Sequence, residues 1–163
     1  MKILHISSNY PPDIGGPASS VPYLAKELIK KGHNAYVLTK NAKDHPSFEI
    51  LNGVPVYRSI RLPGSIYNPI IGVCKSLAMG VLARKIIEKK KIEIIHCHDM
   101  NVSAIAGIVG SKFKNVKKVL KFPGDLAWEL FSLIKWEGKT PSEFFESEDL
   151  LIKLLEFFQK KIC

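Results

Sequence analysis

Short apolar runs alternate along this chain with longer runs in which apolar residues recur every three or four positions. The short runs predict strands buried in a parallel sheet, and they cover residues 2–6, 35–39, 92–96 and 116–122. The longer runs predict helices over residues 17–31, 69–90 and 102–111. This alternating order predicts an α/β fold with a doubly wound, mostly parallel sheet.

The periodicity of the helical runs also predicts which side chains face the core. In the first helix the expected core positions are Val21, Leu24, Ala25, Leu28 and Ile29. In the second helix they are Ile70, Val73, Leu77, Val81 and Ile86. Each helix would then cover the sheet with one apolar stripe.

A small antiparallel hairpin is expected between the second strand and the second helix. Residues 48–51 and 54–60 flank Asn52-Gly53. An Asn-Gly pair between two alternating runs is the strongest short-range hairpin signal.

The last forty residues predict two more helices, over residues 126–136 and from Asp149 to Lys161. The second of these carries a broad apolar surface made of Leu150, Leu151, Leu154, Leu155, Phe157 and Phe158. Such a surface normally needs to be covered, so we expect the chain to self-associate through it or to dock on a partner.

The chain has 163 residues, which is enough for one domain, and a net charge of +9. The positive excess lies in residues 1–121, whereas residues 122–163 are net acidic. A basic body favours anionic partners such as phosphorylated small molecules or a membrane surface. The lysines lie at helix ends and in loops without interleaved aromatics, so we expect no nucleic-acid partner.

Cysteine usage and missing motifs exclude several classes of protein. Three cysteines without a CxxC pair are typical of a reducing compartment, so we expect a cytoplasmic location. Neither GxGxxG nor GxxxxGK[ST] occurs, which argues against a dinucleotide fingerprint and a P-loop. We expect no cofactor.

The most informative segment is residues 7–16, between the first strand and the first helix. Paired Gly15 and Gly16 at the start of a helix allow a ligand to approach the backbone, and the helix dipole favours an anion there. With Asp13 they are candidate substrate-binding residues. The alternative is a tight turn that needs glycine for its conformation alone.

Two other segments follow strands, and we expect all three to converge at one rim of the sheet. His96-Cys97-His98-Asp99 ends the third parallel strand. Alternation puts His96 and His98 on one face and Cys97 on the other. The spacing does not favour a metal site, and we expect none. His96 is expected to be structural, whereas His98 and Asp99 are candidate catalytic residues at an open strand tip.

The third segment contains Lys121, Gly124 and Asp125, which are candidate substrate-binding residues. Gly124 suggests close approach of the backbone. Lys121 is either an anion contact or a surface lysine, and Asp125 is alternatively the cap of the next helix.

Three motifs together resemble the N-terminal domain of family-four glycosyltransferases of the GT-B fold. The first is Met1-Lys2-Ile3-Leu4 followed by Ser7, Tyr10-Pro11-Pro12 and Gly15-Gly16. The second, Ile94-Ile95-His96-Cys97-His98-Asp99, resembles the family's DIIHAHD strand end. The third, from Lys121 to Glu129, is similar to a K-[IF]-PGD-x-AWE segment of a subset of these enzymes.

The resemblance implies a Rossmann-like domain over residues 1–163 and retaining transfer of a sugar from a nucleotide-sugar to an acceptor hydroxyl. It implies that this domain shapes the acceptor site and that Gly15 and Gly16 approach the donor diphosphate. Many members carry a His where this chain has Pro123, so the role of that His is not transferred. The family's donor-binding domain with its E-x7-E motif is expected to lie outside this chain, which we therefore expect to be inactive alone.

Two alternatives stay open from the sequence. One is a stand-alone module that binds a nucleotide or another phosphorylated ligand, which the basic body and the Gly-Gly helix start favour. The other is an interaction subunit that docks through its last helix, and contact with a membrane surface through the lysines also stays open.

Overall fold

The computed structural model of the chain describes residues 1–41, 45–60, 69–100 and 102–121, without the side chains of Pro69 and Ile70. By its internal contacts the chain divides after Lys121, so these residues all belong to its first unit, Met1–Lys121. The two helices expected after residue 125, and the self-association assigned to the last one, lie outside the described residues. A single domain over residues 1–163 stays a prediction.

Strands and helices alternate in the described ranges as the periodicity predicts. The elements, in chain order, are β1 (Lys2–Ser7), α1 (Gly16–Lys30), β2 (Asn34–Thr39), β3 (Phe48–Leu51), β4 (Val54–Arg58), α2 (Pro69–Lys90), β5 (Ile94–Cys97), α3 (Val102–Ser111) and β6 (Lys117–Leu120). The predicted boundaries differ from these by at most two residues. The hairpin at Asn52-Gly53 is also confirmed, since both residues have positive φ.

The strand order explains where a ligand can bind. Among the described residues the sheet has the order β3-β4-β2-β1-β5-β6, and only the β3–β4 pair is antiparallel. The chain runs outward from β1 to β2 and β4, then crosses back to β5 and β6. The order therefore reverses between β1 and β5, and doubly wound sheets bind ligands outside the carboxyl ends of strands at such a point. The predicted fold class is confirmed.

The two faces of the sheet carry separate apolar cores. α1 covers one face, where its buried Val21 and Ala25 pack with Tyr10, Val37 and Val56. The predicted core face of α1 is thus confirmed, with Leu28 and Ile29 partly buried against the same cluster. α2 and α3 cover the other face, in a cluster that includes Leu4, Ile6, Leu38, Met79, Ala83, Ile95 and Ala106.

The predicted core face of α2 is wrong for three of its positions. Val73, Leu77 and Val81 are 50%, 45% and 55% exposed, while Ile86 is buried as expected. Apolar residues occur on nearly every side of α2, so periodicity alone does not select the buried face. Contact with α3 selects it instead. Although α2 is long and rich in apolar residues, no helix in the described ranges is long and apolar enough to cross a membrane.

Glycines let α2 and α3 approach each other at backbone distance. A Cβ added at Gly110 would lie 2.7 Å from Ala83 Cβ, 3.0 Å from Gly80 O and 3.2 Å from Arg84 N. Two of these three atoms are backbone, so they cannot move aside as a flexible side chain can. Each helix therefore fixes the position of the other against the sheet.

We expect Gly110→Ala to destabilise the protein, because the added methyl group must push the two helices apart. Overpacking of this kind costs about 1–3 kcal/mol, which exceeds what alanine contributes over glycine as a helix former. The free energy of unfolding in urea measures the effect. Gly16→Ala is the matched control, since a Cβ at Gly16 has nothing within 4 Å. Equal stability of the two variants would contradict the close contact of α2 and α3.

Candidate functional site

Two of the three predicted rim segments meet at the point where the strand order reverses. The backbone N–H of Ser8, just after β1, donates to Oδ2 of Asp99, just after β5, at 2.8 Å. The backbone N–H of His98 donates to the carbonyl oxygen of Ile6 at 2.9 Å, which extends the pairing of the two strands. The structure thus brings the loop that contains Gly15 and Gly16 to the end of β5, where Asp99 lies. Gly124 and Asp125 lie outside the described residues.

Asp99 also organises the start of α3. Its Oδ1 accepts from the backbone N–H of Ser103 at 2.9 Å. The Ser103 hydroxyl donates to the carbonyl oxygen of Asp99 at 2.8 Å and accepts from the N–H of Asp99 at 3.0 Å. Both carboxylate oxygens therefore already have protein donors. The geometry is that of a positioning carboxylate, and the catalytic role expected for Asp99 stays a prediction.

We expect Asp99→Ala to destabilise the chain by about 1–2 kcal/mol, because it leaves the N–H groups of Ser8 and Ser103 without their acceptor. Asp99→Asn keeps one oxygen for Ser103 and puts an amide group near the N–H of Ser8, so its loss should be smaller. Urea unfolding measures both losses. Hydrogen exchange of the Ser8 amide should rise in both variants. An unchanged exchange rate would contradict the contact between the two strand ends.

The loop after β1 is held by its own hydrogen bonds. The Ser7 hydroxyl donates to the carbonyl oxygen of Asn9 at 2.8 Å, and the Asn9 amide donates to that of Ile14 at 3.2 Å. Gly15 has φ +147°, and a Cβ there would lie 2.7 Å from Asn9 Nδ2. This backbone region is essentially restricted to glycine. The backbone conformation at position 15 therefore favours glycine whether or not a ligand binds.

The start of α1 offers an anion its dipole and an open approach. Gly15 stands at the cap position, and no side chain caps the helix. A Cβ at Gly16 would meet nothing within 4 Å, so the space before the first turn is open. The predicted site residue Asp13 lies in the same loop, where its carboxylate pairs with Lys40 Nζ at 3.0 Å. An uncapped helix start of this kind is suited to a phosphate or another anion.

Buried polar side chains end neighbouring strands on the α1 face of the sheet. The register aligns Ser7 with Thr39 and Thr39 with Arg58, and His98 follows β5 on the same side. All four residues are at most 2% exposed. In the part of the chain that the structure describes, Thr39 Oγ1 and Tyr10 Oη have no hydrogen-bond partner. A layer of polar groups thus underlies the loop that begins at Ser7.

Arg58 links that loop to β3 through hydrogen bonds. Its Nη2 donates to the carbonyl oxygen of Pro11 at 2.7 Å, and its Nε and Nη2 donate to Glu49 Oε1 at 2.9 Å and 2.7 Å. Burial acts to raise the pKa of Glu49, but Arg58 and then His45 lower it, and the net change is downward from 4.5. Burial raises the pKa of Tyr10 to about 12, opposed by Arg58 and assisted by Glu49. The loop therefore rests on an ion pair between β3 and β4.

We expect Glu49→Gln to destabilise the protein by roughly 2–3 kcal/mol at neutral pH, because it leaves the guanidinium of Arg58 buried without its counter-charge. Since the pKa of Glu49 is lowered by folding, its contribution is present above pH 4.5 and is lost as the pH falls below that value. The difference between wild type and variant should therefore shrink in acid. Glu27→Gln is the control, because the exposed Glu27–Lys30 pair should contribute little. A difference in the free energy of unfolding between the wild type and Glu49→Gln that persists at low pH would contradict this account.

Three histidines form a cluster on the α1 face beside the rim. His5 Nδ1 and His98 Nε2 are 3.0 Å apart, and the ring centroids of His96 and His98 are 4.1 Å apart. Burial, then repulsion by His96, lowers the pKa of His5 to about 4. Burial, then His96, His5 and Lys121, lowers the pKa of His98 to about 3. The two buried rings are therefore neutral at physiological pH.

The structure differs from the expected placement of His98. Instead of occupying an open strand tip, the ring is 2% exposed, because His5 and His96 pack against it. The alternation that separates it from Cys97 is confirmed, since a Cβ at Gly107 on α3 would meet Cys97 Sγ. Burial and then Asp99 raise the pKa of Cys97 to about 12, so its thiol stays protonated. The catalytic role of His98 stays a prediction.

His5 is the member of this cluster that sequence reasoning missed. It lies in an otherwise apolar strand, and its partner His96 is 91 positions away along the chain. A polar residue inside a buried strand was the available signal. Lys121, the last described residue, is exposed after β6, where its charge acts on His96 and His98.

Comparison with known proteins agrees with this architecture. Residues 14–135 match the family described as Glycosyltransferase Family 4. The chain belongs to glycosyltransferase family 4. The predicted resemblance is thereby confirmed.

One curated relative of this family 4 chain is an uncharacterized glycosyltransferase from Methanocaldococcus jannaschii. The two are 34% identical over 124 residues, which cover 71% of this chain and 28% of the relative. Among solved structures, sucrose-phosphate synthase from Thermosynechococcus elongatus matches with a TM-score of 0.61 and 14% identity, over 88% of this chain and 38% of that one. At this identity the structural match shows the fold alone. The family 4 chain spans less than half the length of both of these proteins.

Proposed function

We propose that this chain is the acceptor-side domain of a glycosyltransferase that moves a sugar from a nucleotide-sugar to an acceptor hydroxyl, with retention of the anomeric configuration. The observation that carries the proposal is the position of the Gly15-Gly16 loop. The loop lies where the strand order reverses, its helix start has no side-chain cap, and Asp99 ties it to the end of β5. Family membership supports the type of reaction.

The residues at the rim divide into two proposed roles. The start of α1 receives the donor diphosphate, because the helix dipole and the open space at Gly16 favour a phosphate there. Asp99 and the layer beneath the loop hold the strand ends in place for the acceptor. Lys121 is proposed as a further anion contact, and Gly124 and Asp125 stay proposed substrate-binding residues of the third segment.

Turnover is proposed to need more than this chain. The family 4 relative from Methanocaldococcus jannaschii is several times longer than the matched region. We infer that the nucleotide and the sugar are selected mainly by groups outside this chain, which is inactive alone. A cytoplasmic location and contact with a membrane surface stay proposals beside it.

Amide NMR of the ¹⁵N-labelled chain, titrated with UDP-, GDP- and ADP-sugars, tests the rim. We expect weak binding, with shifts centred on Gly15, Gly16 and Ala18. Gly15→Ala should weaken the binding by about 10-fold, because the backbone at Gly15 is strained for any other residue. Gly32→Ala is the matched control, since Gly32 also has positive φ but lies in the turn after α1. Absence of shifts at the rim with all three donors would contradict the proposal.

A transfer assay separates the remaining alternatives. The chain alone should release no nucleoside diphosphate from these donors above the background rate. Sustained release would contradict the proposed inactivity but not the proposed rim. Micromolar affinity for a nucleotide, equal for the free nucleotide and for the nucleotide-sugar, would instead support a stand-alone binding module. The uncapped start of α1 also suits such a module.

A further inference from the structure

We propose that His5, His96 and His98 form a binding site for one divalent transition-metal ion of the zinc type. The site lies beside the rim, where it would link the carboxyl ends of β1 and β5. The sequence alone predicts no metal site, because the spacing within His96-Cys97-His98-Asp99 is unsuitable by itself. The structure adds a third imidazole from a neighbouring strand. The proposal does not depend on the sugar-transfer function.

The backbone brings the three rings together. His5 and His96 are paired directly in the register of β1 and β5, so their side chains leave the same face of the sheet. His98 follows on that face, because its N–H continues the pairing to Ile6. One ring nitrogen from each histidine lies within 4.8 Å of the other two. No movement of the strands is needed to gather three ligands.

The distances agree with a shared ion for two rings and need an adjustment of the third. Zn–N bonds of about 2.0–2.1 Å place two nitrogen ligands on one ion about 3–3.5 Å apart. His5 Nδ1 and His98 Nε2 are already 3.0 Å apart. His96 is half-buried, whereas His5 and His98 are fully enclosed, so it is the ring with most room to turn. The proposal requires a rotation of the His96 side chain to close the remaining distance.

The other two ring nitrogens of His5 and His98 would not bind the ion. His5 Nε2 and His98 Nδ1 are buried, and in the described part of the chain neither has a hydrogen-bond partner. They would carry the ring protons, because His5 Nδ1 and His98 Nε2 must both be unprotonated to bind the ion. Without an ion, the contact between His5 and His98 uses only one nitrogen of each ring. An ion would replace this contact and bind the two nitrogens that now face each other.

The ligand atoms determine which ions the site can bind. Imidazole nitrogen suits Zn²⁺, Co²⁺, Ni²⁺ and Cu²⁺, whereas Ca²⁺ and Mg²⁺ prefer oxygen ligands. Cys97 points to the other face of the sheet, and both carboxylate oxygens of Asp99 are engaged. Three histidines would leave one coordination position for water or an anion. Lys121 is the cation that opposes binding, and it lies exposed after β6.

Titration of the full, untagged chain with Co²⁺ tests the proposal. We expect saturable binding of one ion, with the visible absorption of Co²⁺ bound to nitrogen ligands and no thiolate charge-transfer band. His96→Gln should weaken Co²⁺ binding by about 100-fold, because it removes one of three ligands. His33→Gln is the matched control, since His33 lies in the turn between α1 and β2, away from the cluster.

Circular dichroism checks that each variant is folded. If His96→Gln does not fold, X-ray absorption of the Zn²⁺-loaded wild type decides, because three imidazoles give a characteristic outer-shell scattering pattern. Absence of saturable Co²⁺ binding, equal affinity of the wild type and a folded His96→Gln, or sulfur in the first coordination shell would each overturn the proposal. Addition of Zn²⁺ should also raise the Tm of the wild type and of His33→Gln.

Discussion

The carboxylate of Asp99 joins three parts of the molecule that no other group connects in the same way among the described residues. One oxygen holds the loop after β1, the other begins α3, and the backbone on either side belongs to the end of β5. A doubly wound sheet opens a crevice where its strand order reverses, because the chain leaves in two directions from there. Asp99 connects the loop after β1 to the start of α3 at that point.

Around this carboxylate the rim is built from buried polar groups and from glycine. Arg58 and Glu49 support the loop through the carbonyl oxygen of Pro11, and Gly15 takes a backbone conformation that other residues avoid. The result is a loop whose backbone is fixed on one side and open on the other. A ligand that binds there meets a preformed surface, so little ordering of the loop opposes binding. The proposed site at this loop is thus formed in the chain without a ligand.

The pattern of apolar and polar positions predicted the order of the elements well, because strand and helix periodicities are local properties. It also located the Gly15-Gly16 loop and Asp99, because both stand where a strand ends. It did not predict the buried face of α2, which the small residues of α3 select, since both sides of α2 are apolar. It also missed His5, because the register between β1 and β5 is not a local property. The roles of Gly124 and Asp125 stay predictions.

The pairing of β1 with two strands has a consequence for the order in which this protein folds. β2 is separated from β1 by one helix, so that pair closes a short loop and can form early. Ser8 and Asp99, by contrast, are 91 residues apart, and their contact must wait until the intervening chain has collapsed. β1, α1 and β2 can therefore assemble first, and β5 can then pair with the other edge of β1. A chain that is still being synthesised cannot form the contact between Ser8 and Asp99 until residues beyond Asp99 have emerged.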